Sequence, residues 1–202
     1  SMLDIKLARQ GEDIHAEFEA EVDVGGDNVG VQGGLDYRGV TGTTHLEVDF
    51  SGVQTELLAR RIKALRKLAM VRATFQGRAI ADFDAEGTLV TADFNVASGE
   101  GTLRLPTLWP DGLAVKSMRL HGRLQHDPRL AIIDELAIDL GGPKITANAV
   151  VTWIGSDAAI NADAVLHDMP IAALDRYWPK HLAESPRGWV TRNMTAGTVH
   201  ET

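Results

Sequence analysis

The strongest constraint on how this chain can fold is a run of strict alternation. From Ile14 to Val24, apolar Ile14, Ala16, Phe18, Ala20, Val22 and Val24 interleave with His15, Glu17, Glu19, Glu21 and Asp23. Side chains along a β-strand point to opposite faces in turn, whereas residues sharing a helix face are three or four apart. Eleven residues at period two therefore read as a strand with one dry and one wet face. Gly25-Gly26-Asp27-Asn28 makes a turn. Val29, Val31, Gly33, Leu35 and Tyr37 then resume the pattern, and Leu46, Val48 and Phe50 follow a turn near Gly39 to Gly42.

The second half repeats the style. Val71, Ala73, Phe75, Gly77, Ala79, Ala81 and Phe83 form one dry face, and Val90, Ala92, Phe94 and Val96 the next, after a turn at Glu86-Gly87. Leu103 and Leu105 follow Gly99-Glu100-Gly101. Further dry faces are Met118, Leu120, Gly122 and Leu124; Leu136, Ile138 and Leu140; Ile145, Ala147, Ala149, Val151 and Trp153; and Ile160, Ala162, Ala164 and Leu166. About eleven strands result, and one of twelve residues would be about 40 Å long. One-sided alternation with short turns predicts antiparallel pairing. The expected fold is mainly β: a long, twisted and curled, groove-like antiparallel sheet, interrupted by short helices between repeat units.

Two regions break the alternation. Between Val53 and Ala69, Leu57, Leu58, Ile62, Leu65 and Leu68 have helical spacing. A second helix is signalled from Asp168, read as its cap, through Pro170 to Trp178, and a third from Ser185-Pro186 to about Met194. Phe50 and Leu166 precede these breaks 116 positions apart, and Gly77 and Gly197 follow them 120 apart. That spacing suggests an internal repeat. The chain divides accordingly into N-terminal strands (1–52, a partial unit), an amphipathic basic helix (53–69), a sheet unit (70–167), a helical insert (168–194) and the first strand of a next unit (195–202). It begins and ends inside strand patterns, and so reads as a fragment of a longer protein.

Composition removes several function classes. Twenty Lys and Arg stand against 28 Asp and Glu, a net charge of −8, which does not suit phosphate neutralisation by nucleic-acid binding. The absence of cysteine excludes disulfides, thiolate metal sites and thiol nucleophiles, and leaves cytosol and periplasm both open. The longest uncharged stretch, Ile145 to Ser156, has twelve residues, against about 20 for a spanning helix. No nucleophile elbow or phosphate loop is present. His121 and His126 point to opposite faces of a strand, and Asp82 with Asp84 reads as a solvated edge. The expectation is no enzyme, no cofactor and no metal.

The dry faces are rich in small residues: Ala16, Ala20, Ala73, Gly77, Ala79, Ala81, Ala92, Ala147, Ala149, Ala162 and Ala164. Protein interiors do not leave such volume empty. A helix, a second sheet or a ligand must fill it. Arg60, Arg61, Lys63, Arg66 and Lys67 concentrate positive charge on the first helix. They read either as contacts to anionic lipid head groups or as a solvated face favoured by the helix dipole. Trp109, Trp178 and Trp189 read as interfacial anchors or as plugs at the end of the apolar layer.

The C-terminal region carries a more specific pattern. Met169-Pro170-Ile171-Ala172-Ala173-Leu174-Asp175-Arg176-Tyr177-Trp178-Pro179 is followed by Leu182-Ala183, Arg187-Gly188-Trp189-Val190, Asn193-Met194 and Gly197-Thr198-Val199. With Gly99-x-Gly101-x-Leu103-x-Leu105-Pro106 and Leu136-x-Ile138-x-Leu140-Gly141-Gly142, this run resembles the AsmA-like family of bacterial envelope proteins, its YhdP-type central region more closely and TamB-like members distantly. The resemblance spans Phe50 to Thr202. It implies a periplasmic module of an inner-membrane-anchored protein. In such proteins a β-groove shields acyl chains for phospholipid transport between inner and outer membranes and for outer-membrane lipid homeostasis. The groove candidates are then Phe18, Val22, Phe75, Ala79, Phe83, Ala92, Phe94, Ala149, Val151 and Ala162, with a phospholipid or other acyl-chain lipid as partner. The competing reading is a structural or protein-interaction β-scaffold with a closed core and no ligand. Exposed strand edges near Leu3 and Val199 also invite edge-to-edge self-association.

Overall fold

Alternation at period two becomes twelve strands joined in one sheet. The computed structural model describes residues 2–24, 27–56, 59, 69–106, 109–154, 157–178, 184–194 and 196–201. The strands are β1 (Met2–Gln10), β2 (Asp13–Val24), β3 (Asp27–Arg38), β4 (Thr43–Gln54), β5 (Val71–Phe83) and β6 (Leu89–Leu105). They continue as β7 (Trp109–Val115), β8 (Ser117–Gln125), β9 (Leu130–Asp139), β10 (Lys144–Ile154), β11 (Asp157–Pro170) and β12 (Thr198–Glu201). The sheet order is β1-β2-β3-β4-β5-β6-β8-β9-β10-β11-β12, with β7 branching from β6, and every pair is antiparallel. The sheet stays open, with β1 and β12 at its edges. The fold class expected from the alternation is the one observed.

Four local features differ from the expectation. β6 does not break at Gly99-Glu100-Gly101. It runs on for 17 residues, pairing with β8 over Thr91–Ser98 and with β7 over Gly101–Leu105. Trp109, which no strand pattern marks in the sequence, opens β7, whose alternation Pro110, Asp111 and Gly112 obscure. Val53, expected to start a helix, lies in β4 and pairs with Phe75 after a bulge; helical backbone begins at Thr55. Asp168 does not cap the second helix. It lies inside β11 at φ 54°, and Pro170 precedes a 3-10 turn, Ile171–Ala173, with no side-chain cap. That turn leads into α1 (Leu174–Tyr177), and α2 (Glu184–Asn193) follows.

The two helical interruptions have a common geometry at their starts. Gly52 has φ 73° two residues before β4 ends, and Asp168 has φ 54° two residues before β11 ends. They lie 116 positions apart, the separation of Phe50 and Leu166. In both places the left-handed residue falls at a gap in the pairing register, and two further pairs follow before the strand ends.

Close strand approach depends on glycine at particular pairs. Gly33 faces Phe18 and Gly122 faces Phe94, and each phenyl ring lies over the bare backbone of its partner. A Cβ on Gly122 would stand 2.3 Å from the Ile132 carbonyl oxygen and 2.9 Å from Phe94 Cζ. Neither neighbour can yield without moving backbone or ring. Gly122→Ala is therefore expected to destabilise the sheet by about 1–3 kcal/mol in urea unfolding. Gly99→Ala, where a Cβ meets nothing within 4 Å, should stay within about 0.5 kcal/mol of the parent.

Candidate apolar binding face

Register carries the apolar positions from strand to strand without a break. One row runs Ile5–Phe18–Gly33–Val48–Ala79–Phe94–Gly122–Ile133–Ala149–Ala162 across ten strands. A second runs Leu3–Ala20–Val31–Phe50–Gly77–Val96–Leu120–Leu136–Ala147–Ala164, and a third Leu7–Ala16–Leu35–Leu46–Ala81–Ala92–Leu124–Ala131–Val151–Ile160. Opposed residues share a face, so the three rows form one apolar surface. At about 4.8 Å per strand it is about 45 Å wide.

This surface is not a closed core. Its residues are half-buried or exposed, with the small Gly122 and Ala131 alone fully buried. No second sheet exists among the described residues. Full burial concentrates at one end of the strands, where Leu113, Val115, Met118, Leu140, Met169, Ile171, Leu174 and Tyr177 form a cluster. β7 and the segment after β11 build it. The Tyr177 hydroxyl donates to the Leu140 carbonyl at 3.4 Å, and Ile171 N–H to the Gly197 carbonyl at 3.0 Å. The apolar face is thus capped at one end and, among the described residues, covered by no second sheet.

The sequence-derived candidates fall into distinct places. Phe18, Ala79, Phe94, Ala149 and Ala162 occupy the first row, and Ala92 and Val151 the third. Val22 faces Val29 and is 43% exposed. Phe83 faces Thr44 and Leu89 near the turns at the far end. Phe75 differs: it sits between Val53 and Ser98 and packs on the buried cluster. Trp109 and Trp178 pack on the same cluster, while Trp189 is 58% exposed. Arg60, Arg61, Lys63, Arg66 and Lys67 lie outside the described residues. Leu3, Ile5, Leu7, Leu120, Ile133 and Leu136 were not among the groove candidates drawn from the sequence. They complete the rows, but alternation alone does not tell which strands are neighbours.

The opposite face is ionic. His15, Asp36, His45, Asp82 and Thr91 form a ladder on five consecutive strands. His15 Nδ1 meets Asp36 Oδ1 at 2.7 Å, His45 Nδ1 meets Asp82 Oδ1 at 2.7 Å, and Thr91 Oγ1 donates to Asp82 at 3.1 Å. Arg78 bridges Glu47 and Asp49. Recesses of about 570 and 600 Å³ lie among these charged side chains. Both are open to solvent, and the second is also lined by Phe83 and Val90. Asp84 is not part of the ladder: its carboxylate accepts the Glu86 and Thr88 amides and shapes the turn. Among the described residues no cluster suits a metal ion.

The hydrogen bond to Asp82 raises the His45 pKa, and the same bond lowers that of Asp82. Asp36 raises His15 in the same manner. A raised histidine contributes stability that is complete below about pH 6.5 and is lost as pH climbs through its folded value. A lowered aspartate contributes above about pH 4 and loses that contribution on acidification. The ladder is therefore most stabilising between about pH 4 and 6.5, and exposure keeps its contribution small. The melting temperature should fall from pH 6 to pH 9, and the fall should shrink in the His15→Gln/His45→Gln variant. Separately, Phe75→Glu should unfold the chain in circular dichroism, because it places a charge against the buried cluster.

Comparison of the chain with family models, with curated proteins and with solved structures returned no match.

Proposed function

We propose that this chain is a non-enzymatic lipid-shielding module. Its apolar face would hold the acyl chains of phospholipid in the periplasm, within an AsmA-like protein anchored in the inner membrane and serving transport to the outer membrane. The observation that carries the reading is the set of three apolar rows, ten strands wide and uncovered by a second sheet among the described residues. A soluble monomer rarely exposes so extended an apolar surface unless something binds it. The resemblance of Phe50 to Thr202 to AsmA-like proteins supports the choice of lipid as the occupant.

The physical logic is simple. Each methylene transferred from water to such a face contributes about 0.8 kcal/mol. This affinity is non-directional, so it holds a chain without fixing its position and does not distinguish head groups. The rows cross the strands, so they lengthen as strands are added, and a repeat of the unit would extend one path. The small residues Ala79, Ala81, Ala92, Ala147 and Ala149 leave depth along that path.

Lipid extraction and native mass spectrometry of the purified protein test the reading. Bound phospholipid is expected, with little head-group preference. Ala79→Glu and Ala149→Glu lie on the open row and should lower bound lipid at least about tenfold, with urea unfolding little changed. Protein free of lipid and unable to bind a fluorescent phospholipid would instead favour the scaffold reading.

A further inference from the structure

We infer that the end of the apolar face away from the buried cluster is a phosphate rim, where Arg129, stacked on Trp153, pairs with the phosphodiester of a bound phospholipid. The inference rests on the lipid-shielding reading above and adds where the head group sits.

Beyond the third apolar row lies one more. Its paired positions include Tyr37, Phe83 and Trp153 and hold no carboxylate. Trp153 stands two residues past Val151 of the third row, so its ring is on the apolar face. Its backbone N–H donates to the Arg129 carbonyl at 3.1 Å. The guanidinium carbon of Arg129 lies 5.1 Å from the centre of the Trp153 ring, within the range of a cation–ring attraction. This contact brings a cation onto the apolar face. Arg129 is exposed, and among the described residues no carboxylate pairs with it. Asp127 lies in the preceding turn without reaching it, and Asp157 opposes Ile154 and so belongs to the ionic face. A guanidinium stacked by its flat side keeps its N–H edge free, and that edge matches two oxygens of a phosphate. Arg9, opposite Ile14, adds a second cation at the β1 end of the same row. In a chain of net charge −8, a rim with two arginines and no acid at its paired positions is complementary to an anion.

The depth of the face agrees. From Trp153 to Ala147 on the second row is six residues, about 20 Å of strand. Ile145, the next position on that face, already packs on the buried cluster. The acyl layer of one leaflet is about 15 Å deep, half the hydrocarbon core of a bilayer. A phosphate at the rim therefore lets acyl chains run along the strands and end short of the cap. Tryptophan suits the level between them, because its ring has an apolar body and a polar edge. The phosphate is common to all phospholipids, so the contact adds affinity without choosing among head groups.

Binding of a fluorescent phosphatidylglycerol and of a diacylglycerol with the same chains and label, both presented from one neutral detergent, tests the rim. The full chain should bind the phospholipid about fivefold more tightly, and less so as salt rises. Arg129→Gln should bring the phospholipid down to the level of the diacylglycerol and leave the diacylglycerol unchanged. Glycerophosphoglycerol, the head group without chains, should not compete at the concentration of the lipid. Circular dichroism checks that the variant keeps the sheet. Equal binding of the two lipids by the parent, or a variant that keeps the preference, would overturn the rim and leave lipid shielding standing. Competition by glycerophosphoglycerol as effective as by the lipid would also sink it, since the site would then take a soluble phosphate ester. Failure to bind either lipid would remove the shielding reading, and the rim with it.

Discussion

The structure depends on an unbroken antiparallel register. A strand slipped by one residue turns all its apolar side chains to the ionic face. Each junction from β1 to β11 keeps apolar opposite apolar over at least three rows. Where strands shift, as between Phe50 and Val53 in β4 or between His121 and Gly122 in β8, the bulge is local and the rows continue beyond it. Phenylalanine over glycine, at Phe18–Gly33 and Phe94–Gly122, fills the surface while letting neighbouring backbones approach.

This arrangement differs from a sandwich in where it places stability. A sandwich buries its apolar side chains between two layers. Here the described rows are half-buried, and the tight packing lies at one end, around Leu113, Met118, Leu140 and Tyr177. The remaining order comes from ladder hydrogen bonds, from cross-strand apolar pairs and from the ionic ladder on the other face. A sheet built this way tolerates an open apolar surface because its backbone groups are already satisfied within it.

Much of the surface was legible in the sequence. Phe18, Ala79, Phe94, Ala149 and Ala162, chosen from separate stretches of alternation, meet in one row. Phe75 shows the limit. It has the same spacing as Ala79 and lies in the same strand, yet it packs on the buried cluster. Its surroundings come from β7 and from the chain after β11, both distant in sequence. β7 itself was hidden because Pro110, Asp111 and Gly112 interrupt its alternation. Asp168 looked like a helix cap because Pro170 follows, but β11 pairs with β12 across that point.

What the sequence by itself determined was the alternation, and with it the strands, their two faces and their antiparallel habit. Period two is a local property, set by where successive Cβ atoms point. Tertiary structure alone decided which strand lies beside which, how the separate dry faces align into rows, and which end is capped. Those outcomes rest on contacts between residues far apart along the chain, whose partners no local pattern specifies.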